Sequence, residues 1–568
     1  MHTRTLRPVR SAAVGLVLVA ALLAVGLSGA VAATPVAAHG PGAPADGSLP
    51  AASTPAAPGN DTDPRIAAVY PNPAAHGDRG EFVVLRLPRG TNLSEWSLAD
   101  DRAEASLAGV TARGRVAVTD RPERVADLVG ESAALRVDAV VGVDSLPALS
   151  NAGERVVLRR ANGTVDAVEY RDAPERSVYR DGEWRHLDAT DRSVTRVGSR
   201  SVRAFVLPDG ADVPVTLLRS ARRQVLLAGY TFESERATRA LERAAERGVA
   251  VRVLVDAGPV GGTTRRQVRL LDRLANHSGV EVWAYGTETA PYAYQHAKYA
   301  VVDDRVLVTT ENWKPGGLGG AGNRGWGTIV EGGAVAAELA AVFEADARRP
   351  AAVPWREYRD RVDPVYGSVD RGSYPSRVES ARLRADSVRL LVAPDNAQRE
   401  IVGLLADANR SLRVQQVSME PGPLLSATTD AARRGVEVRV LLSSAEYVRD
   451  ENRRLAARLN ERAERQGWDL QVRVADAEGF DAVHTKGAVV DGRHVVVGSL
   501  NWNDHSAQRN REVVLVLSGD AVGDYYADAF DRDWRTDPSR GVSVSLVLAG
   551  LAAVALAAVV GYRRVTFG

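Results

Sequence analysis

Two related stretches of the chain decide the fold. Residues 484–501 read HTKGAVVDGRHVVVGSLN, and residues 296–312 read HAKYAVVDDRVLVTTEN. In both stretches a lysine follows two residues after a histidine, and an aspartate follows five residues after that lysine. The repetition predicts two copies of one structural unit within a single chain.

Lysine is rare in this protein. The sequence holds 3 lysines against 69 arginines, and two of the three are Lys298 and Lys486 in the repeated stretches. An ammonium is a compact charge with rotatable donors, whereas a guanidinium is a planar fork. We therefore expect both lysines to have a function that arginine cannot perform.

The repeat extends upstream of each histidine. Segments 221–227 and 408–414 begin matching strands, and a second pair of strands begins 27 residues later, at Gly248 and Gly435. The order strand, helix, strand predicts a crossover between parallel strands. From each glycine to its histidine the distance is 48 residues in the first copy and 49 in the second. A register shared over this distance indicates duplication.

A β-hairpin is predicted directly after each histidine. Both hairpins turn at an aspartate, a residue type that turns favour. In a strand, alternate side chains share a face, so a histidine and the lysine two residues later point the same way. Each hairpin then leads to an asparagine. The pattern gives, copy by copy, the candidate residues His296, Lys298, Asp303 and Asn312, then His484, Lys486, Asp491 and Asn501.

This pattern resembles the phospholipase D superfamily, whose signature is H-x-K-x4-D followed by G-S-x-N. Residues 484–501 match the signature fully, including Ser499. Residues 296–312 match it except that TTE at 309–311 replaces G-S-x. The resemblance covers roughly residues 203–536 and implies an α/β fold of two pseudo-equivalent units packed face to face.

The resemblance also implies a reaction, in which a phosphodiester is cleaved through a covalent phosphohistidine with no metal and no other cofactor. The residue types support this chemistry independently. Displacement at a phosphodiester builds negative charge, which the lysines and asparagines can stabilise. A histidine, whose ordinary pKa lies near 6.5, can attack phosphorus, and a second histidine can protonate the leaving oxygen.

The two copies differ in one carboxylate. Glu512 stands 28 residues after His484, where the superfamily commonly has an acid behind the histidine, whereas the matching position of the first copy is Gly325. A carboxylate favours the charged form of a neighbouring imidazole. We therefore expect Glu512 to support His484 as the general acid and His296 to act as the neutral nucleophile.

Residues 66–170 alternate short β-type runs with turns, which predicts an all-β sandwich. Four short stretches resemble the lamin-tail family, an immunoglobulin-like sandwich. They read PNP at 71–73, GEFV at 80–83, LSEWSLAD at 93–100 and LSNAGE at 149–154. The resemblance implies a binding or spacer module without catalytic residues.

The two ends of the chain predict export and anchoring. Basic residues followed by an apolar run and small residues indicate a signal peptide, and an uncharged run near the C-terminus is long enough to span a bilayer. The expected boundaries are a signal peptide at 1–32, a linker at 33–63, the lamin-tail-like sandwich at 64–172, the first α/β unit at 203–348, a linker at 349–387, the second unit at 388–536 and a transmembrane helix at 541–562.

Composition limits the classes of function. The 72 basic and 71 acidic residues give a net charge of +1, which does not indicate a strongly basic nucleic-acid binder. The absence of cysteine from the sequence excludes disulfides, cysteine-ligated zinc and cysteine nucleophiles.

We therefore expect a monomeric phosphodiesterase that is tethered to the cell membrane, with its body on the extracytoplasmic side. Its expected substrate is a phospholipid, which it would hydrolyse or whose phosphatidyl group it would transfer to an alcohol. An exported nuclease with the same chemistry is one alternative. A non-catalytic surface binding protein is the other.

Overall fold

The computed structural model describes residues 64–535, apart from 74–78, 90, 111, 131, 133–134, 162, 188, 287–289, 291, 368–371 and 476–478. The predicted signal peptide, the first linker and the C-terminal apolar run lie outside the described residues. Within the described ranges, no helix combines the length and the apolar character needed to cross a bilayer.

The N-terminal part of the described chain is rich in β-structure. Its elements are β1 Arg65–Tyr70, β2 Phe82–Leu87, β3 Trp96–Ala99, β4 Glu104–Ser106, β5 Gly114–Thr119, α1 Pro122–Gly130, β6 Ala139–Gly142, β7 Gly153–Arg160, β8 Gly163–Arg171, β9 Ser177–Arg180 and β10 Glu183–His186. They form a six-stranded sheet of order β10-β9-β1-β2-β5-β6 and a four-stranded sheet of order β4-β3-β7-β8.

These two sheets share one apolar core. Val83 and Leu85 of the six-stranded sheet are buried in the same cluster as Leu98 and Leu158 of the other sheet. Facing sheets of this kind form a sandwich, as the alternating sequence pattern predicts. Helix α1 and the parallel pairing of β5 with β6 were not predicted. Strands β9 and β10 lie beyond the predicted boundary at residue 172 and join the first sheet.

The first copy of the repeat forms one mixed sheet with helices. The chain between residues 195 and 385 contains β11 Thr195–Val197, β12 Arg200–Leu207, α2 Asp212–Arg219, β13 Gln224–Gly229, α3 Glu235–Glu246, β14 Ala250–Asp256, α4 Arg265–Ala275, β15 Val280–Tyr285, β16 Tyr294–Gln295, β17 Tyr299–Val302, β18 Arg305–Thr309, β19 Gly325–Glu331, α5 Gly333–Ala347, β20 Ala352–Pro354, α6 Trp355–Tyr358 and β21 Ala381–Ala385.

The second copy follows the same plan. Its elements are β22 Ser387–Ala393, α7 Ala397–Ala406, β23 Ser411–Gln416, α8 Pro423–Arg433, β24 Glu437–Leu442, α9 Arg449–Gln466, β25 Leu470–Val474, β26 Lys486–Val490, β27 His494–Gly498, α10 Asp504–Arg509, β28 Asn510–Ser518 and α11 Asp520–Arg535.

Apart from β20, the two sheets have the same strand order when one of them is read in the reverse direction. The first runs β20-β15-β14-β13-β17-β18-β19-β12-β21, and the second runs β11-β22-β28-β27-β26-β23-β24-β25. Strands β13, β14 and β15 are parallel neighbours, as are β23, β24 and β25. Strands β17 and β18, and likewise β26 and β27, form antiparallel hairpins. The predicted parallel crossovers and hairpins are therefore confirmed.

The copies exchange their edge strands. Strand β11 precedes the first copy in the chain but pairs with β22 of the second sheet. Strand β21 precedes the second copy but pairs with β12 of the first sheet. Each sheet is therefore completed by a strand that leads into the other copy.

One apolar cluster joins the two sheets. Val301 and Val306 of the first copy are buried in it together with Val489 and Val495 of the second. Helices α5 and α11 add further members to this cluster, including Leu339 and Phe530. Separate clusters lie under the crossover helices of each copy. The α/β units thus pack face to face across a shared core, as the resemblance implied.

Candidate active site

Each histidine lies in a segment that hydrogen-bonds to the other copy. The backbone N–H of His296 donates to the carbonyl of Arg511 at 3.1 Å, and the N–H of His484 donates to the carbonyl of Arg324 at 2.9 Å. Strand β16, just before His296, also pairs with β28 of the second copy. These reciprocal bonds bring both histidines to the seam between the copies.

The two arginines at the seam hold buried carboxylates from both copies. Arg324 pairs with Asp209 of its own copy at 2.5 Å and with Asp533 of the other at 3.0 Å. Arg511 in turn pairs with one aspartate from each copy. Removing one partner from such a buried network leaves a buried charge unpaired and typically lowers the free energy of unfolding by about 3–5 kcal/mol. The arginines therefore fix the strands that position the histidines.

Each imidazole contacts a carboxylate of the opposite copy. His296 Nδ1 lies 2.8 Å from Glu512 Oε1, and His484 Nδ1 lies 2.9 Å from Glu311 Oε1. The expected pairing of Glu512 with His484 is therefore wrong, because β28 runs beside the segment that carries His296. The expectation that the first copy supplies no carboxylate is also wrong.

Glu311 fills the space that a side chain at position 325 would need. A Cβ atom added to Gly325 would lie 2.3 Å from Glu311 Cγ and 2.6 Å from its Oε1. Thr310 and Ser499 occupy matching places, because their backbone N–H groups donate to Trp326 and Val513 respectively. The first copy therefore carries its acid on the turn after β18, whereas the second carries it on β28.

Both carboxylates are buried and held by equivalent asparagines. Asn323 Nδ2 donates to Glu311 Oε2 at 3.0 Å, and Asn510 Nδ2 donates to Glu512 Oε1 at 3.1 Å. Burial alone would raise the pKa of each carboxyl, but the facing histidine and lysine bring the pKa of both below the usual value. Both acids are thus anions at neutral pH.

The carboxylates fix the tautomer of each imidazole. An ionised carboxylate can only accept, so Nδ1 of the facing histidine carries the hydrogen. Burial lowers the pKa of His296 to about 4 and that of His484 to about 4, although Glu512 and Glu311 oppose these shifts. Both rings are therefore neutral at neutral pH, and Nε2 is the ring nitrogen that carries no hydrogen.

The two motif lysines are buried beside the histidines. Lys486 Nζ lies 3.2 Å from each ring nitrogen of His484, and Lys298 Nζ donates to the carbonyl of His296 at 2.5 Å. Burial lowers the pKa of Lys298 to about 7 and that of Lys486 to about 8. Lys486 also lowers the pKa of both Lys298 and His296 across the seam, so the charged groups of the two copies act on one another.

The motif asparagines have unused polar atoms. The Oδ1 atoms of Asn312 and Asn501 are buried and accept no hydrogen bond from any residue that the structure describes. Buried polar groups without partners are uncommon and call for an explanation such as ligand binding. Ser499 is fully buried, and its Oγ accepts a bond from the N–H of Val513 at 3.1 Å. It positions β28 at Glu512.

The motif aspartates are structural. Asp303 accepts hydrogen bonds from three consecutive N–H groups at residues 222–224, and Asp491 accepts from those at 409–411. Both turn residues have positive φ, 58° and 55°, a conformation that aspartate tolerates better than most residues. They tie the hairpin turns to the neighbouring strands and lie away from the imidazoles.

Three site residues were missed by the sequence analysis. Glu311 could have been suspected from its acidic type in an otherwise apolar hairpin, together with the missing acid at Gly325. Lys314, the third lysine of the chain, lowers the pKa of both His484 and Lys486, and its rarity was an available signal. Tyr230, whose ring lies 4.7 Å from that of His296, had no recognisable signal.

Comparison with known families agrees with this geometry. Residues 215–347 and 401–534 each match the family described as cardiolipin synthase, PLD-like domain. Two segments of the chain, one in each half of the duplicated region, are therefore similar to the PLD-like domain. The described strands of the N-terminal sandwich lie outside both matches.

Several characterised proteins are similar to one part of this chain. Over 146 residues it is 32% identical to a mitochondrial cardiolipin hydrolase of Xenopus tropicalis, covering 26% of this chain and 65% of that protein. Over 147 residues it is 25% identical to a phospholipase D of Rickettsia bellii (strain RML369-C), covering 26% of this chain and 66% of that protein. The chain thus spans slightly less than two thirds of the length of these relatives.

Among solved structures, phosphatidylserine synthase of Haemophilus influenzae Rd KW20 is similar to this chain with a TM-score of 0.46 and 14% identity. The superposition covers 60% of this chain and 86% of that one.

Proposed function

We propose that this protein is a phosphodiesterase of the phospholipase D type that hydrolyses a phospholipid. One observation carries the proposal: two histidine–glutamate pairs, His296 with Glu512 and His484 with Glu311, lie at the seam between the copies together with two buried lysines. Similar proteins named cardiolipin hydrolase and phospholipase D favour a phospholipid as the substrate.

The proposed reaction has two steps. Nε2 of one histidine attacks phosphorus, and the bond from phosphorus to the leaving oxygen breaks as the other histidine, protonated in the complex, gives that oxygen its proton. The second histidine, now neutral, takes a proton from water, and the resulting hydroxide displaces the first histidine from phosphorus. An alcohol in place of water would give phosphatidyl transfer.

The buried cations explain why this site suits a phosphodiester. Lys298 and Lys486 balance the charges of Glu311 and Glu512, so a bound diester adds an anion to a site that is otherwise close to neutral. The lysines then stabilise charge on the non-bridging oxygens in a site with little water, where such interactions are strong. The anion also favours protonation of one imidazole, which supplies the acid for the first step.

The accessory regions belong to the same proposal. We infer that the N-terminal sandwich is a lamin-tail-like binding or spacer module, and that the apolar run at 541–562 anchors a monomer to the cell membrane with its body outside. The anchor would keep the catalytic unit at high local concentration near lipid. Fractionation of cells that produce the full chain, compared with a chain ending at residue 536, tests the anchor.

The assay that tests the activity uses the purified full chain in detergent with phospholipid vesicles and, separately, single- and double-stranded DNA. We expect release of the lipid head group, lost in His296→Ala and in His484→Ala, and retained in the presence of chelator. His494→Ala is the matched control, because this histidine lies on β27 and contacts Ser518. Cleavage of DNA but not of lipid would replace the lipase proposal with a nuclease. Cleavage of neither would leave a binding protein.

A further inference from the structure

All three lysines of the chain lie at the active site. Lys298 and Lys486 belong to the motifs, and the third, Lys314, follows two residues after the motif residue Asn312. The remaining 69 basic residues other than histidine are arginines. Because an arginine-rich chain has kept lysine only here, Lys314 is part of the same functional arrangement.

The backbone holds Lys314 in a loop that is hydrogen-bonded to the segment before His484. The N–H of Lys314 donates to the carbonyl of Asn312 at 2.8 Å, and the loop that it begins is bonded to the segment before His484, since the N–H of Asp481 donates to Gly322 at 2.8 Å. The same loop covers Glu311, because a Cβ atom added to Gly317 would lie 3.0 Å from Glu311 Oε2. Lys314 therefore stands on the His484 side of the site.

Unlike the motif lysines, Lys314 is half-buried, and its ammonium has no ion-pair partner within 4.0 Å among the residues that the structure describes. Lys298 and Lys486 balance the charges of Glu311 and Glu512, and the imidazole that is protonated in the complex balances one phosphodiester. A third ammonium with free donors is more than that anion requires, and a partly dehydrated cation without a counter-ion favours binding of a further anion.

The second copy has no equivalent cation. Asn503 makes the same backbone turn, since its N–H donates to the carbonyl of Asn501 at 2.9 Å. Its side chain, however, caps helix α10 by accepting from the N–H of Ser506 at 2.7 Å. At this pair of positions the site is thus asymmetric, because Lys314 supplies a cation on the His484 side and Asn503 supplies none.

We propose that Lys314 forms a second anion subsite, which binds a phosphate group that the substrate carries in addition to its scissile phosphodiester. The subsite rests on the proposed function, because it needs a phosphodiester held between the two histidines. It would select substrates with two phosphates and fix which end of the molecule lies beside His484.

Binding of inorganic anions tests the subsite without catalysis. Titration calorimetry compares phosphate with pyrophosphate, whose second phosphoryl group can reach beyond the first. We expect the full chain to bind pyrophosphate on the order of 10-fold more tightly than phosphate, an effect of one added ion contact. In Lys314→Gln this preference should fall toward 1, and in Lys314→Arg part of it should remain. Equal preference in the wild type and in Lys314→Gln would refute the subsite.

Two matched pairs of substrates identify the molecule that carries the second phosphate. One pair is phosphatidylglycerol and phosphatidylglycerol phosphate, and the other is the dinucleotide TpT with and without a 5′-phosphate. A gain in kcat/KM from the added phosphate that disappears in Lys314→Gln marks the true source. A Lys314-dependent preference for pyrophosphate with no hydrolysis of any diester would refute the proposed function and leave the subsite. Hydrolysis without any gain in kcat/KM from the second phosphate would support the proposed function and refute the subsite.

Discussion

The two halves of the active site reach one chemical arrangement with different residues. In the second copy the turn after β27 carries Leu500 and strand β28 carries Glu512. In the first copy the turn carries Glu311 and the strand carries Gly325. Both acids lie within 2.9 Å of an imidazole Nδ1. The comparison teaches that the site requires a carboxylate in this place and allows it to come from either of two neighbouring positions.

A second exchange that involves glycine lies two pairs further along the strands. Gly498 pairs with Val514 in the second copy, whereas Thr309 pairs with Gly327 in the first. A Cβ atom on Gly498 would lie 2.3 Å from the carbonyl oxygen of Val513, and one on Gly327 would lie 2.2 Å from the Phe205 ring. Only the departure at Glu311 is thus offset by the facing strand, because Gly325 leaves space for Glu311 whereas Gly327 leaves space for Phe205, as expected where packing is dense.

The largest effect should come from substitution of the histidines. Because both imidazoles contact a carboxylate, these contacts do not distinguish the nucleophile from the general acid. Loss of either ring should lower kcat on the order of 10⁴-fold or more, because residues that act as one unit fail together. Mass spectrometry of enzyme quenched in denaturant at alkaline pH should then find the covalent adduct, which carries the part of the substrate that stays on phosphorus, at only one of the two histidines. Phosphorylation at position 484 would make His296 the acid and would reverse the roles inferred from the sequence. A variant that loses one histidine and retains near-normal kcat would contradict the two-histidine mechanism.

Exchange of the carboxylate between positions should have the next largest effect. Glu311→Leu leaves His484 without its partner and should lower kcat on the order of 10²-fold or more. Gly325→Glu alone should destabilise the protein, because the new side chain would collide with Glu311. The double variant Glu311→Leu/Gly325→Glu copies the arrangement of the second copy and should recover most of the lost activity. Steady-state kinetics and thermal unfolding of all three variants measure this coupling.

Recovery in the double variant is the decisive comparison. If its kcat is no higher than that of Glu311→Leu, the two positions are not interchangeable carriers of the acid. Glu512→Gln is the matched control on the other copy, because Glu512 contacts His296 and not His484. It should lower kcat without any effect of substitutions at Gly325.

The lysines of the two copies should lose their charge one after the other as the pH rises. The pKa of Lys298 is lowered to about 7 and that of Lys486 to about 8, so both are protonated below these values and become neutral above them. For a diester that stays anionic, kcat/KM should therefore fall above pH 7, by up to about tenfold per pH unit for each lysine whose proton is required. A profile that stays flat to pH 10 would show that neither ammonium binds the anion in its charged form.

The motif aspartates should produce the smallest and most equal effects. Asp303 and Asp491 accept matching sets of backbone hydrogen bonds, which lower the pKa of each. Their stabilisation is present above the ordinary aspartate pKa near 3.9 and is lost as the pH falls through the lowered folded value. Asp303→Asn and Asp491→Asn should each reduce the free energy of unfolding by about 1 kcal/mol, because solvent weakens these contacts. Urea unfolding at pH 7 and pH 3 measures this change in the free energy of unfolding. Very unequal changes for the two variants would indicate that the two turns differ.

Local patterns in the sequence determined much of the fold. The crossover units, both hairpins and their aspartate turns follow from periodicity and turn chemistry within about 30 residues, and the structure contains them where they were predicted. The duplication, the motif histidines and the motif lysines could also be found in the sequence. Lys314 could have been found there too, because a residue type that occurs three times in 568 residues is informative wherever it stands.

Only the tertiary structure decided which carboxylate meets which histidine. His296 and Glu512 are separated by 216 residues, and His484 and Glu311 by 173. Such contacts depend on how two sheets pack and exchange strands, and no local pattern encodes that choice. The sequence signature placed Glu512 with the histidine of its own copy, but the seam joins each histidine segment to the opposite sheet. The pairing therefore crosses the seam, because the packing of the copies and not the order of the chain sets these distances.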